Sequence, residues 1–453
     1  MRKELERRPA LLACLALALG VSAGFHPANA LGLVPLLIAA RLLPSRLILA
    51  AAFLVGLLRA PMPTLPVASI GSGDIRGTVV RYPVQRESGA SALVRSGSGL
   101  VSVRYAGAID LGLGDSIDAR GRLRPPLPGQ VGPSAVLDAY RLEVVSQGPW
   151  IWNVSEQLRN RFLAASAASG LGPEDAAWLD ALCLGARETL DRATSANLTR
   201  TGTVHAVAAS GLHVLILAML LEGLLSLLAV PKILRVALVG IALLLYVGAV
   251  GLHPASVRAA LTAVLFRCAS LVRREPDLLS ALGLSGCFIL LVWPEEVFGL
   301  GFQLSTVVVG ALGLTPFDPP ERDLRPLSLL GSRLKSLARV SLIASLASLP
   351  ILAQVLHEVS LVSVAANVLL VFVLPWILGA AMLGFVVSGA LPALGAGLIA
   401  GIAAPLAGWG RLVVDGLGAS PHATLAVPGF SGYWLVPIYL AAAALWRPHV
   451  RPA

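Results

Sequence analysis

The stretch RTGTVHAVAASGLHVLILAML, Arg200–Leu220, decides how the chain is read. Its second half is apolar enough to enter a membrane. Its first half gathers Thr201, Thr203, His205, Ser210 and His213 around a helix-breaking glycine, Gly211. Polar groups at membrane depth are costly, and they face a cavity or a partner. Two local conformations are open. In a continuous helix Ser210 and His213 share a face, and His205 lies about 80° round from His213, so both histidines line one cavity. In a helix broken at Ser210–Gly211, freed backbone groups face a pore. The TGT before His205 reads as a cap of the following helix, through Thr201 or Thr203. Gly211 leaves room for close approach. The competing explanation is helix–helix packing through Ala206, Ala208, Ala209, Ser210 and Gly211.

Composition agrees with a membrane setting. The chain has 453 residues, of which 56% are hydrophobic and 13% charged, against roughly 25% charged in a soluble domain. Net charge is +10, and lysine occurs only at positions 3, 232 and 335, so arginine dominates. The basic excess fits the positive-inside rule with interfacial snorkelling, or an anionic ligand. Cys14, Cys183, Cys268 and Cys287 lie in apolar surroundings without metal spacing.

Outward from the opening stretch, 201–446 reads as a membrane core. Its candidate segments are 203–229, 236–250, 256–272, 278–293, 297–315, 338–356, 359–374, 376–390, 393–412 and 432–446. Upstream, 150–200 is helical and amphipathic, able to lie in the interface plane. Residues 66–148 alternate apolar with polar and carry Gly-rich turns, which predicts four to six short strands in a small OB-like barrel. Residues 1–60 hold two or three membrane segments, about 10–25, 31–43 and 46–59, the first retained rather than cleaved. With the basic N-terminus inside, residue 60 is outside. The basic loops at Lys232/Arg235, Arg273/Arg274 and Arg322 to Arg339 then fall inside. Arg447 and Arg451 favour an inside C-terminus while the segment count puts it outside, so part of 359–412 is a re-entrant candidate. No internal repeat is legible.

Other polar residues stand out in apolar runs. Arg258 sits after His253–Pro254 and must snorkel or pair; it is a phosphate-contact candidate. Arg267 lies nearer the inner end and reads as an anchor. Gln303 and Ser305 follow Gly299 and Gly301, and either hydrogen-bond between helices or line a channel. His357–Glu358 reads as a surface loop and Asn367 as a cavity residue. No P-loop, H-x-H-x-D-H or H-E-x-x-H pattern is present. Glu222 falls on the helix face opposite His213, so no hydrolytic triad is supported. The reading is of a non-enzyme with no cofactor and no metal.

Several blocks together resemble the ComEC family of competence proteins. They are the strand-rich insert, RTGTVHAVAASGLH (Arg200–His213), HPASVRAA (His253–Ala260), GFQLS (Gly301–Ser305) and the ASLPIL…AANVLL tract (Ala347–Leu370), in the family's order. The resemblance covers roughly 30–446. It implies a DNA-uptake channel that carries single-stranded DNA across the cytoplasmic (inner) membrane during natural transformation. Implied partners are single-stranded DNA, membrane lipids, a DNA receptor of the uptake machinery, a cytoplasmic helicase and a separate nuclease. Two departures stand beside it. Many members end in a metallo-β-lactamase-like domain, and this sequence stops at Ala453. Where the family often reads LLLGDR, this chain has LCLGAR, with Ala186 at the acidic position.

The expectation is therefore a polytopic α-helical membrane protein with an N-terminal extracytoplasmic OB-like domain. Its parts are 1–60 membrane segments, 66–148 β domain, 150–200 interfacial helices and 201–446 channel core. Pore-lining candidates are His205, Ser210, Gly211, His213, Arg258, Gln303 and Asn367. In 66–148 nine arginines face seven acidic residues, a mild excess. Arg120, Arg122 and Arg124 alternate onto one strand face, and with Arg76 and Arg104 they form the candidate DNA patch. Alternative functions are transport of another anionic polymer or lipid-linked precursor, and a membrane scaffold that recruits a separate nuclease or helicase.

Overall fold

Alternation with period two builds the first group of elements. The structure is a computed structural model that describes residues 13–18, 21, 71–86, 89–97, 99–107, 109–125, 135–208, 210–315, 326–430, 434–435 and 437–439. The segments expected at 31–43 and 46–59, and most of those at 10–25 and 432–446, lie outside the described residues. Five strands form a closed barrel: β1 (Gly71–Arg86), β2 (Gly89–Ser96), β3 (Gly99–Tyr105), β4 (Ser116–Arg124) and β5 (Ala135–Ser146). Their order around the barrel is β1-β2-β3-β5-β4, with β4 closing on β1. The β3–β5 pair is parallel and the others are antiparallel. This is an OB-like arrangement.

Inward positions supply the barrel core, including Ile75, Val79, Val94, Val101, Val103, Ile117 and Leu137. Each such side chain contributes about 1.5–3 kcal/mol on full burial. Gly121 sits where a Cβ would strike the Asp138 carbonyl, which lets β4 and β5 close tightly. A register shift between Arg120 and Gly121 marks an irregularity in that pairing. Asp115 is buried before β4. Its two carboxylate oxygens accept the Gly112 and Gly148 N–H groups, each at 2.7 Å, so it ties the turn to the exit of β5.

Helices follow: α1 (Trp150–Ala167), α2 (Pro173–Leu184), α3 (Arg192–Arg200), α4 (Gly211–Leu227), α5 (Lys232–Ala249), α6 (Pro254–Leu271), α7 (Leu278–Val292), α8 (Leu300–Leu314), α9 (Pro326–Leu356), α10 (Ser363–Ser388), α11 (Pro392–Leu398) and α12 (Ala404–Gly418). A two-stranded ribbon pairs β6 (Glu358–Ser360) with β7 (Thr424–Ala426). Among the described residues four stretches are long and apolar enough to cross a membrane: Lys232–Ala249, Gly331–Leu356, Ser363–Ser388 and Pro392–Gly418. Their outward faces expose large apolar side chains such as Ile241, Leu346, Trp376, Val386 and Leu412. Patches of that kind mark a membrane-facing surface. The protein is a helical membrane protein with a small β-barrel.

Two segment boundaries differ from expectation. The segments expected at 359–374 and 376–390 are one helix, α10, with Pro375 inside it. The lost hydrogen bond at a proline is tolerated where neighbouring groups re-satisfy the backbone. The segment expected at 393–412 runs from Pro392 to Gly418, with a π-helical turn at Ile399–Ala403 joining α11 to α12.

The described residues fall into two compact units. The first holds residues up to Leu163 and Leu221–Gly299; the second holds Ala164–Leu220 and the residues from Leu300 onward. In the first, α1 fastens the barrel to α5. The Arg159 guanidinium stacks 5.0 Å over the Tyr82 ring and donates to the Ala249 carbonyl at 3.1 Å. Gly248 makes room for Ser155. A 3-10 turn after α7 brings Glu295 to Arg95 of β2 at 2.9 Å, and the Arg95 guanidinium lies 5.5 Å over Trp293. In the second, Trp178 of α2 is buried and donates Nε1–H to the Ala407 carbonyl at 2.7 Å. Asn197 of α3 donates to Asp415 of α12 at 3.0 Å, and Gly418 lies directly against Asn197.

Candidate functional site

The opening stretch of the sequence is a break between two helices. Asp191 caps α3 by accepting the Thr194 N–H at 2.8 Å. The helix ends at Arg200, and Gly202 takes φ +68°. Thr203 N–H returns to the Leu198 carbonyl and Gly202 N–H to the Thr199 carbonyl, each at 3.0 Å. This pair of bonds is a Schellman motif with glycine at the left-handed position. The TGT therefore closes the helix before it. That corrects the expectation of a cap on the helix after it; no side-chain cap bond forms at Thr203.

Thr201 and Thr203 are fully buried, and their hydroxyls lie 2.7 Å apart. Thr201 Oγ1 also donates to the Asn197 carbonyl at 2.8 Å. An unsatisfied backbone group in an apolar interior costs several kcal/mol, so such bonds make the break tolerable. A 3-10 turn, Val204–Ala206, follows. Helix α4 starts at Gly211, where the Ser210 carbonyl accepts the His213 N–H at 3.1 Å. Of the two conformations open in the sequence the helix is broken, and the break begins at Thr201, earlier than Ser210–Gly211.

The candidate residues separate accordingly. His213 is completely buried, with Nδ1 3.2 Å from Ser210 Oγ. Backbone of Leu182 and Ala206 borders the ring. His205 is exposed, and its Nδ1 lies 3.1 Å from the Gly202 carbonyl. Gly211 opens α4 and is half-buried. The two histidines do not sit 80° apart on one helix, because the chain between them is not one helix.

Helix α10 runs beside this segment. Gly202 lies against the side chains of Ser360 and Ser363, and Leu220 lies against Gly379. These two contacts make 202–220 and 363–379 run in the same direction, over about 24 Å of helix at 1.5 Å per residue. Asn367 is four residues beyond Ser363, so it shares the face that meets Gly202. It is buried, and among the described residues its Oδ1 has no hydrogen-bond partner. Arg200 reaches the Ser420 carbonyl at 2.7 Å, which brings the end of α12 to the same place. Sequence reasoning missed this contact and the Asn197–Asp415 bond, because no local signal marks pairs some 220 residues apart.

Gln303 is half-buried on α8 in the same unit. Arg258 belongs to the first unit and is 2% exposed on α6, with Cys14 and Glu296 among its electrostatic neighbours. It is enclosed in protein, so the snorkelling alternative does not describe it. His357 and Glu358 are exposed as expected, and Glu358 opens β6.

On the barrel, Arg120, Arg122 and Arg124 are exposed and alternate along β4. Arg76 is exposed beside them, and Arg104 is half-buried on β3. Three of the five arginines are held in ion pairs. Arg76 pairs with Asp118 at 2.8 Å, Arg120 with Asp74 at 3.2 Å and Arg124 with Asp138 at 2.7 Å. Strand register sets the first two pairs, because Asp74 faces Arg120 and Arg76 faces Asp118 across β1–β4, whereas Asp138 stands opposite Arg122 and reaches Arg124 diagonally. The face is a chequerboard of both signs.

A family model described as Competence protein matches residues 182–452, which takes in the break, α10 and α12. The chain belongs to the Competence protein family. Within that family it is similar to ComE operon protein 3 of Bacillus subtilis (strain 168), at 34% identity over 203 residues. The match covers 44% of this chain and 25% of that protein, so this competence protein aligns with about a quarter of its relative's length. No solved structure matches.

Proposed function

We propose that this protein carries single-stranded DNA across the cytoplasmic membrane during natural transformation, acting as a channel rather than as an enzyme. One observation carries the proposal: within the family-matched segment, the chain between α3 and the apolar helix α4 is irregular, and buried polar side chains gather there. Thr201, Thr203, His213 and Asn367 are all buried there. Irregular backbone in a membrane protein is tolerated where it lines a cavity or is enclosed by protein. His205, Ser210, Gly211, His213, Gln303 and Asn367 are the proposed path residues of the second unit, and Arg258 that of the first. Single-stranded DNA, membrane lipids, an uptake receptor, a cytoplasmic helicase and a separate nuclease are the proposed partners.

A specific observation keeps a second reading beside the first. The exposed arginines of the barrel are largely matched by carboxylates, which suits a carrier of another anionic polymer or lipid-linked precursor as well as a DNA channel. The test is entry of labelled linear DNA into the cytoplasm of wild-type, deletion and His213→Ala cells at matched protein levels. The channel reading requires internal DNA to vanish in the deletion while surface binding persists. Normal internalisation in the deletion, with no second homologue present, removes it.

A further inference from the structure

One end of the first unit holds a charge cluster that the proposed path does not use. Glu222 near the end of α4 is shared by two arginines. Arg235 of α5 approaches Oε1 with Nη1 at 3.3 Å, and Arg267 of α6 approaches Oε2 with Nε at 3.6 Å. Both arginine side chains are mostly buried, at 21% and 16% exposure. One carboxylate cannot occupy two guanidinium forks, each of which carries five N–H donors. Arg267 spends one further donor on the Ala263 carbonyl at 3.1 Å, and among the described residues Arg235 Nε has no hydrogen-bond partner. Among the described residues the cluster therefore sets two guanidinium groups against one carboxylate, and both Arg235 Nε and Glu222 Oε2 are left without a hydrogen-bond partner.

The same helix ends expose charged and apolar side chains together, the charged ones being Lys232, Arg273, Arg274 and Glu275. Leu227, Leu228, Ile233, Leu234, Phe266 and Val272, on the same helix ends, are all exposed large hydrophobics. A free phosphate or a nucleic-acid strand would gain nothing from the apolar side chains. A lipid would gain from both parts, its phosphate on the arginines and its acyl chains on the exposed side chains. Basic pockets between membrane helices hold anionic headgroups in this way, and arginine forks bind phosphate oxygens bidentately.

We propose that Arg235 and Arg267 form a binding site for the phosphate of an anionic phospholipid, with Glu222 as the internal competitor for the same donors. The carboxylate holds the two guanidinium groups in place when the site is empty and yields donors to phosphate when it fills.

The test is thermal denaturation of the full chain in detergent, titrated with phosphatidylglycerol or phosphatidylcholine. Phosphatidylglycerol is expected to stabilise the wild type saturably, and phosphatidylcholine is not. Arg235→Gln with Arg267→Gln is expected to weaken the apparent affinity about tenfold or more. Glu222→Gln is expected to tighten it, and this variant decides alone if the double variant does not fold. Equal responses to the two lipids, or a Glu222→Gln titration identical to wild type, overturn the proposal. Parallel titrations with inorganic phosphate and a single-stranded oligonucleotide separate the sources; stabilisation by either without stabilisation by phosphatidylglycerol also overturns it.

Discussion

His213 Nδ1 lies 3.2 Å from Ser210 Oγ, across the first turn of the helix that resumes after the break. The contact joins the last residue before α4 to the first deeply buried polar side chain within it. Ser210→Ala leaves Nδ1 without this partner and is expected to cost about 1 kcal/mol. His213→Ala also opens a void at a fully buried site and is expected to cost about 2 kcal/mol or more. Denaturation midpoints of the purified variants check the ranking. A His213→Ala variant no less stable than Ser210→Ala refutes it.

Gly202 is held by both conformation and space. Its φ is +68°, and a Cβ there would lie 3.1 Å from Ser363 Cβ. Gly202→Ala is expected to lose about 1–2 kcal/mol from the left-handed conformation alone, with a further loss from the contact. Adding Ser363→Gly should recover the contact and leave the conformational cost. Full recovery in the double variant would show that the backbone conformation costs nothing.

Glu156 sits on α1 beside the barrel turn. Burial pushes its carboxyl above the usual range; Asp110 and Asp115 act in the same direction, while Arg159 pulls it down. A carboxyl whose folded pKa is raised contributes stability that is complete below its unfolded pKa and is lost as pH rises through the folded one. Stability should therefore fall as pH rises above the ordinary glutamate range. Glu156→Gln should flatten that fall and raise the melting temperature at neutral pH. Melting curves between about pH 4 and 7 test this, and an unchanged slope in the variant contradicts the assignment.

The barrel face makes an electrostatic prediction. Asp74 and Asp118 hold Arg120 and Arg76 in ion pairs. If this face meets DNA, Asp74→Asn with Asp118→Asn releases two arginines. Binding of a labelled single-stranded oligonucleotide to the full chain should tighten, and its log–log salt slope should steepen by about 1.4 for two added phosphate contacts. No change in affinity or slope would remove this face from the DNA path.

The barrel is written locally and so was legible. Alternation in VVRYPV and SIDARGRL marks strands whichever partner they take, and the core follows from the inward positions. Its charge pairing was not, because Asp74 and Arg120 become neighbours only once the β1–β4 register is known. The break at Thr201–Ser210 was foreshadowed by TGT and Gly211. Its direction was hidden, because a Thr-Gly-Thr can open one helix or close another, and the choice rests on bonds back to Leu198 and Thr199. Pro375 misled for a physical reason: it breaks helices in water, but apolar helices of membrane-spanning length tolerate it, and here α10 continues through it.

The barrel closes through β5, which pairs in parallel with β3 on one side and antiparallel with β4 on the other. It is also the last of the five strands to be synthesised. Until β5 has emerged, β3 and β4 each keep an open edge, and such edges recruit foreign strands. Closure of this domain therefore waits on its last strand. A nascent chain stalled before residue 135 would present two adhesive edges, which makes the pace of translation up to β5 a point of vulnerability in the biogenesis of the domain.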